Sequence, residues 1–241
     1  MIDILENYID EIRKLNTFEK SDIMNCNFML YSDNNIEIFY APHNEIVNED
    51  AKIFIVGITP GWQQTRIAYK TAKDAICLND DITTIKRKCK RNSRFAGNMR
   101  KNIIEMLDEL NLNEKLNIES CSSLFKDKDY LLHTTSIIPY PVFVNGKNYT
   151  GSNPKILKNE ILTLYMKKYF IKEIKKLPNA LIIPLGKSVE EILLYLVDNN
   201  IIKKNNCLFG FPHPSGANGH RRKFFDENKK NMMNIISNLD V

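Results

Sequence analysis

Apolar positions recur at helical spacing in residues 2–16, where Ile2, Leu5, Ile9, Ile12 and Leu15 predict an amphipathic helix. "IEIFYAP" (36–42) alternates and stops at a proline, the pattern of an edge strand. "KIFIVGI" (52–58) is almost continuously apolar, as a strand covered on both faces of a parallel sheet must be. Helical periodicity returns in "IIEMLDELNL" (103–112) and over 156–176, and "YLLHTTSIIPYP" (130–141) starts as a strand and breaks at two prolines. "ALIIPLGKSVEEILLYLV" (180–197) predicts a strand, a glycine turn and a helix with Ser188 as N-cap and Glu190 and Glu191 in its first turn. A last strand in "CLFGFPHPSG" and a closing helix over 221–239 complete an alternation that predicts a doubly wound α/β domain. Such sheets bind ligands at the carboxyl ends of their strands, where Thr59, Thr135, Gly186 and His213 fall.

Composition supports one folded domain over residues 1–241, with 1–35 as an N-terminal helical extension, because 43% apolar content provides a sizeable core. The formal charge of +5 is modest but uneven: Ile85–Lys101, "IKRKCKRNSRFAGNMRK", carries eight basic residues and no acid. That run is either a solvated face or a surface for a polyanion. The acidic start "MIDILENYID" is unlike a signal peptide, no apolar run reaches membrane-spanning length, and five scattered cysteines suit a reducing compartment. The expectation is a cytoplasmic monomer with no membrane contact.

Familiar cofactor motifs are excluded by their own geometry. "LGKS" (185–188) has Leu181 where a phosphate-binding loop needs glycine, and "GITPG" (57–61) lacks the second glycine of the dinucleotide fingerprint. No cofactor and no metal is expected, since no Cys/His grouping has ligand spacing. Neither Ser136 nor Ser215 lies in a G-x-S-x-G elbow, which removes the usual esterase arrangement. His213, bracketed by Pro212 and Pro214, is confined to extended backbone, which suits a side chain that must be held in advance.

Taken together, four short motifs in order resemble the uracil-DNA glycosylase superfamily over residues 36–239. "GITPG" resembles its first motif, "RFAGNMRKNIIEML" (94–107) its base-stacking segment, "LIIPLGKSVEEIL" the strand and helix before its histidine loop, and "HPSGANG" (213–219) that loop. The resemblance implies a three-layer α/β/α fold around a mostly parallel sheet of four to five strands, and a monofunctional, cofactor-independent glycosylase acting on a base flipped out of DNA. It further implies that His213 stabilises the departing base, that Thr59 helps to hold the attacking water, and that Phe95 stacks on the base beside Gly57, Ile58, Gly61 and Thr135. DNA would be gripped by Ser215, Gly216, Ala217 and Asn218 of the loop, by Arg221 and Arg222, and by Lys86, Arg87, Lys88, Arg91 and Arg94 of the basic run.

Two departures from the superfamily pattern bear on chemistry. Ile58 and Thr59 stand where a water-positioning carboxylate or amide is usual, so a nearby Gln63, Gln64 or Asp74 would have to assist, or bond breaking would rest on the leaving group. Gly61 stands where the uracil enzyme has a tyrosine that blocks 5-substituents, and "HTTSIIPYP" offers no amide to read uracil. These differences point to a uracil-like or bulky 5-modified pyrimidine, such as a modified cytosine of phage DNA, in repair or antiviral defence. The rivals are a catalytically silent DNA-binding protein of the same fold and a nucleotide- or RNA-processing hydrolase.

Overall fold

A computed structural model describes residues 4–239. In chain order the helices and strands are α1 (Ile9–Lys14), α2 (Lys20–Ile23), β1 (Met29–Ser32), β2 (Ile36–Phe39), β3 (Ile53–Gly57), α3 (Trp62–Cys77), α4 (Ile82–Ser93), α5 (Asn98–Glu109) and α6 (Leu112–Lys115), followed by β4 (Leu132–Ser136), β5 (Val142–Val144), β6 (Lys147–Asn148), α7 (Glu160–Tyr165), α8 (Ile171–Ile174), β7 (Leu181–Pro184), α9 (Lys187–Asp198) and α10 (Arg221–Ser237). They fold as two compact units woven from alternating stretches of the chain. Of the described residues, the first contains 4–47, 59–96 and 138–169, and the second 48–58, 97–137 and 170–239.

The second unit holds a parallel sheet in the order β4-β3-β7. Ile53 pairs with Leu132 on one side and Leu181 on the other, so β3 lies in the middle and every one of its residues is buried. This is the burial its unbroken apolar run predicts. The expected last strand contributes one parallel bridge, Ile182 to Cys207, reinforced by Leu208 N–H donating to Ile182 O at 2.8 Å. The sheet is therefore narrower than four to five full strands. Gly210 (φ +90°) and Pro212 bend the chain away before a ladder can form.

The first unit holds an antiparallel sheet in the order β1-β2-β5-β6. Here β2 is paired on both sides, which corrects the expectation of an edge strand: Met29–Ser32 and the segment after Pro141 supply its neighbours. Asn145 and Gly146, both at positive φ, make the two-residue turn joining β5 to β6, as an Asn-Gly pair favours. The N-terminal periodicity gives a 3₁₀ turn (Leu5–Tyr8) running into α1; Ile2 lies outside the described residues. The helix expected over 156–176 is divided into a 3₁₀ turn (Ile156–Lys158), α7, a π turn (Met166–Phe170) and α8. Among the described residues no helix is long and apolar enough to cross a membrane.

Candidate active site

The histidine loop of the second unit is held by hydrogen bonds and by close packing. At the end of β7 the chain turns through Gly186 (φ +88°), and a Cβ there would lie 2.9 Å from His213 Cβ and 3.3 Å from His213 N. Only glycine admits both that backbone conformation and that approach. On the far side of the loop, Asn102 of α5 donates from Nδ2 to Pro214 O at 2.7 Å, and Asn218 Nδ2 donates to His213 O at 3.1 Å. Arg221 Nη1 donates to Pro214 O and Ser215 O, both at 3.2 Å. Gly216 and Ala217 remain exposed at the tip, where Ser215 Oγ accepts the Ala217 N–H at 3.2 Å.

The state of His213 follows from this frame. Ser215 N–H donates to its Nδ1 at 3.3 Å, so the ring proton of the neutral form belongs on Nε2. Burial lowers the imidazole pKa below its ordinary value, which keeps the ring neutral around pH 7. The side chain is half-buried, so this N–H donor is set in a partly desolvated site.

The first motif leaves β3 at Gly57, bends through Ile58 and Thr59, and enters α3 with Gly61 as N-cap. Ile58, Thr59 and Gly61 are half-buried, and a Cβ on Gly61 would meet nothing within 4 Å. Open space thus exists where a bulky residue would otherwise stand. Of the candidate helpers, Gln63 and Gln64 lie in the first turn of α3, while Asp74 is twelve residues beyond Trp62 and roughly 18 Å along the helix. That distance removes Asp74 as a partner for Thr59.

Phe95 is 4% exposed and holds φ +49°, the left-handed region that a bulky side chain avoids. Strain of this kind at a non-glycine residue is characteristic of positions fixed for function. Thr135, expected to face the base, is instead turned to α8: its hydroxyl donates to Glu173 Oε2 at 3.2 Å, and His133 Nε2 binds Glu173 Oε1 at 2.6 Å. With Asn48 N–H reaching His133 Nδ1 at 3.4 Å, the four residues form a linked polar group. The alternation of β4 turns His133 and Thr135 to one face and leaves Ser136, at the strand's carboxyl end, on the other.

The basic run requires a larger correction. Residues 82–93 form α4, and helical spacing turns Lys86, Lys90 and Arg94 inward at 6%, 7% and 6% exposure. Lys86 Nζ lies 3.3 Å from Glu45 Oε2, and Lys90 Nζ 3.3 Å from Asn44 Oδ1. Buried in this way, Lys86 and Arg94 do not present a charge to phosphate. Lys88 is ion-paired with Asp80, whereas Arg87 and Arg91 stay on the solvent face. In the second unit Arg222 is exposed but engaged by Glu109 and Asp226, and hydrogen bonds from Arg222 and Lys229 hold the Glu109 carboxyl down at about 2.

The segment before β3 contains chemistry that sequence reading missed. His43 and Glu45, in "APHNE", are both buried. Glu45 accepts from Leu5 N–H at 3.1 Å, yet burial pushes its carboxyl up to about 7. His43 is driven down to about 3, chiefly by burial and secondarily by Lys90, and neither ring nitrogen meets a hydrogen-bonding group of the described residues. Both follow Tyr-Ala-Pro, the three residues just beyond β2. Among the described residues no group of three or more His, Cys, Asp or Glu is arranged to hold a metal ion.

The glycine turn after a buried strand, the aromatic in the left-handed region and the Pro-His-Pro loop stand where the motifs read from the sequence put them. The chain belongs to the uracil DNA glycosylase superfamily, whose family profile matches residues 45–237. It is 40% identical over 230 residues to the uncharacterized protein YoxB of Bacillus subtilis (strain 168), covering 95% of this chain and 90% of that protein. Among solved structures, wild-type SMUG2 of Pedobacter heparinus aligns over 98% of this chain and 100% of its own, with a TM-score of 0.48 and 14% identity.

Proposed function

We propose that the chain is a monofunctional DNA glycosylase that releases a uracil-like or 5-modified pyrimidine and leaves an abasic site. The observation that carries this reading is the Ser215 N–H on His213 Nδ1, because it dedicates Nε2–H to a ligand. As the N-glycosidic bond breaks, its electron pair departs with the base. A neutral donor set in advance toward the developing oxyanion stabilises that charge without reorganising. Phe95 is assigned to stacking on the extruded ring, a role its strained backbone supports. The exposed Gly216–Ala217 tip is assigned to the space in the duplex that the base leaves.

Water then adds to the oxocarbenium-like sugar and its proton is lost to solvent. Thr59 orients that water but does not deprotonate it at neutral pH. Bond breaking is therefore carried by leaving-group stabilisation, and good leaving groups are favoured over poor ones. Substrate breadth at the pyrimidine 5-position is supported by the open space at Gly61.

The test is base release from matched duplexes that carry uracil, 5-hydroxymethyluracil, 5-hydroxymethylcytosine or glucosylated 5-hydroxymethylcytosine, read as strand cleavage after alkali. Release from at least one 5-substituted duplex at a rate equal to or above that from uracil is expected. Release from uracil alone overturns the enlarged pocket. Retention of DNA binding with no release from any duplex identifies the chain as a silent DNA-binding protein, the reading that the missing carboxylate at Thr59 favours.

A further inference from the structure

A cavity of about 590 Å³ in the second unit lies away from the histidine loop. Its floor is apolar, with Ile174, Leu177, Ile182 and Val197 contributing. Ile182 enters near the start of β7, about 13 Å along the chain from Gly186 and its contact with His213. The cavity is therefore at the amino end of the parallel strands, opposite the end that carries the candidate chemistry.

Its rim has one sign of charge. Lys175, Lys203 and Lys204 line it, all three are exposed, and none has an ion pair among the described residues. No acidic side chain lines the cavity. Beside the lysines, Asn200 in the left-handed conformation (φ +56°) turns the chain so that Ile201 and Ile202 are left half-exposed. Both isoleucines line the cavity, so its apolar surface continues from the floor to the rim beside the lysines.

We propose that this groove docks an acidic segment of another protein, one or two large apolar side chains filling the floor while flanking carboxylates meet Lys175, Lys203 and Lys204. Charge complementarity selects this occupant. A cationic rim speeds encounter with a polyanionic chain and makes binding salt-sensitive, and the apolar floor supplies what a phosphate backbone cannot use. Because the groove lies opposite the histidine loop in the second unit, a docked segment would not compete with a ligand of His213.

The test is fluorescence anisotropy with the full chain and a labelled peptide in which four aspartates flank a Leu-Phe pair. Saturable binding is expected, weakened at least tenfold in the Lys203→Glu/Lys204→Glu double variant and in a peptide with Ser-Ser in place of Leu-Phe. The milder Lys203→Ala/Lys204→Ala variant should fall between, and all variants should melt as the parent does. A Kd weaker than about 1 mM for the parent overturns the proposal. So does binding indifferent to the lysine substitutions. Loss of undamaged-duplex binding in the double variant without loss of peptide binding overturns it too, and assigns the lysines to DNA.

Discussion

The molecule contains two Pro-His steps, each just beyond a strand or bridge, and they differ in what surrounds the imidazole. Pro42-His43 follows β2 in the first unit, where His43 is 2% exposed and has no hydrogen-bonding partner on either nitrogen among the described residues. Pro212-His213 follows the Ile182–Cys207 bridge in the second, where His213 is half-buried and Ser215 N–H occupies Nδ1. Burial lowers both pKa values, further for His43 than for His213. A depressed pKa therefore does not tell the two histidines apart. What differs is that Ser215 N–H fixes the tautomer of His213 and that His213 is only half-buried, whereas His43 has neither feature.

The largest effect expected from this contrast is that of His213→Ala. Loss of one donor to a developing oxyanion costs on the order of 10²- to 10³-fold in rate. Base release from the best duplex should fall by about that factor, while the melting temperature and duplex affinity stay near the parent values. An unchanged single-turnover rate would remove His213 from the chemistry. Gly186→Ala should act through the same ring. Its Cβ meets His213 Cβ at 2.9 Å, too close for real atoms, at a φ of +88° that alanine resists. A shifted donor loses part of its stabilisation, so release should drop about tenfold with little change in affinity, the mark of an interaction made in the transition state. If Gly186→Ala lowered affinity and left the rate constant intact, the turn would be binding DNA rather than positioning His213.

Much of the second unit was legible because its signals are local. β3 and β7 are short apolar runs, and the turns after them carry the glycines and prolines that such exits require. The direction of a side chain was harder to read. Thr135 belongs to the expected strand, but the two-residue period turns it toward Glu173, a partner 38 residues away that no local pattern reveals. The charge run hid a helix: eight basic residues read as a surface, although an i, i+4, i+8 stripe was present in Lys86, Lys90 and Arg94. Burying lysine is costly enough that sequence reasoning assigns it to solvent unless a partner such as Glu45 is known. His43 was missed for the same reason, since a lone histidine beside an acid looks like an ordinary loop.

For His43 the expected effect on base release is none, and on stability it depends on pH. The folded-state pKa of about 3 lies below the unfolded value near 6.5, so between these limits the unfolded chain binds the proton and the folded chain does not. The penalty grows as pH falls below about 6.5, reaching roughly 2–3 kcal/mol at pH 4.5 as an upper estimate. Glu45 works in the opposite direction: its carboxyl is raised to about 7, so the folded chain holds the extra proton and stability is lost as pH rises from about 4.5 to 7. In the parent the two slopes offset each other across much of this window. His43→Leu removes one of them and also an imidazole without partners, so it should gain stability over the parent at pH 4.5 relative to pH 7.5 by urea unfolding. Only the Glu45 slope then remains, and the variant should weaken steadily as pH rises. Equal pH dependence of the two proteins would mean that His43 takes up a proton in the folded state, and the contrast with His213 would then lie in access alone.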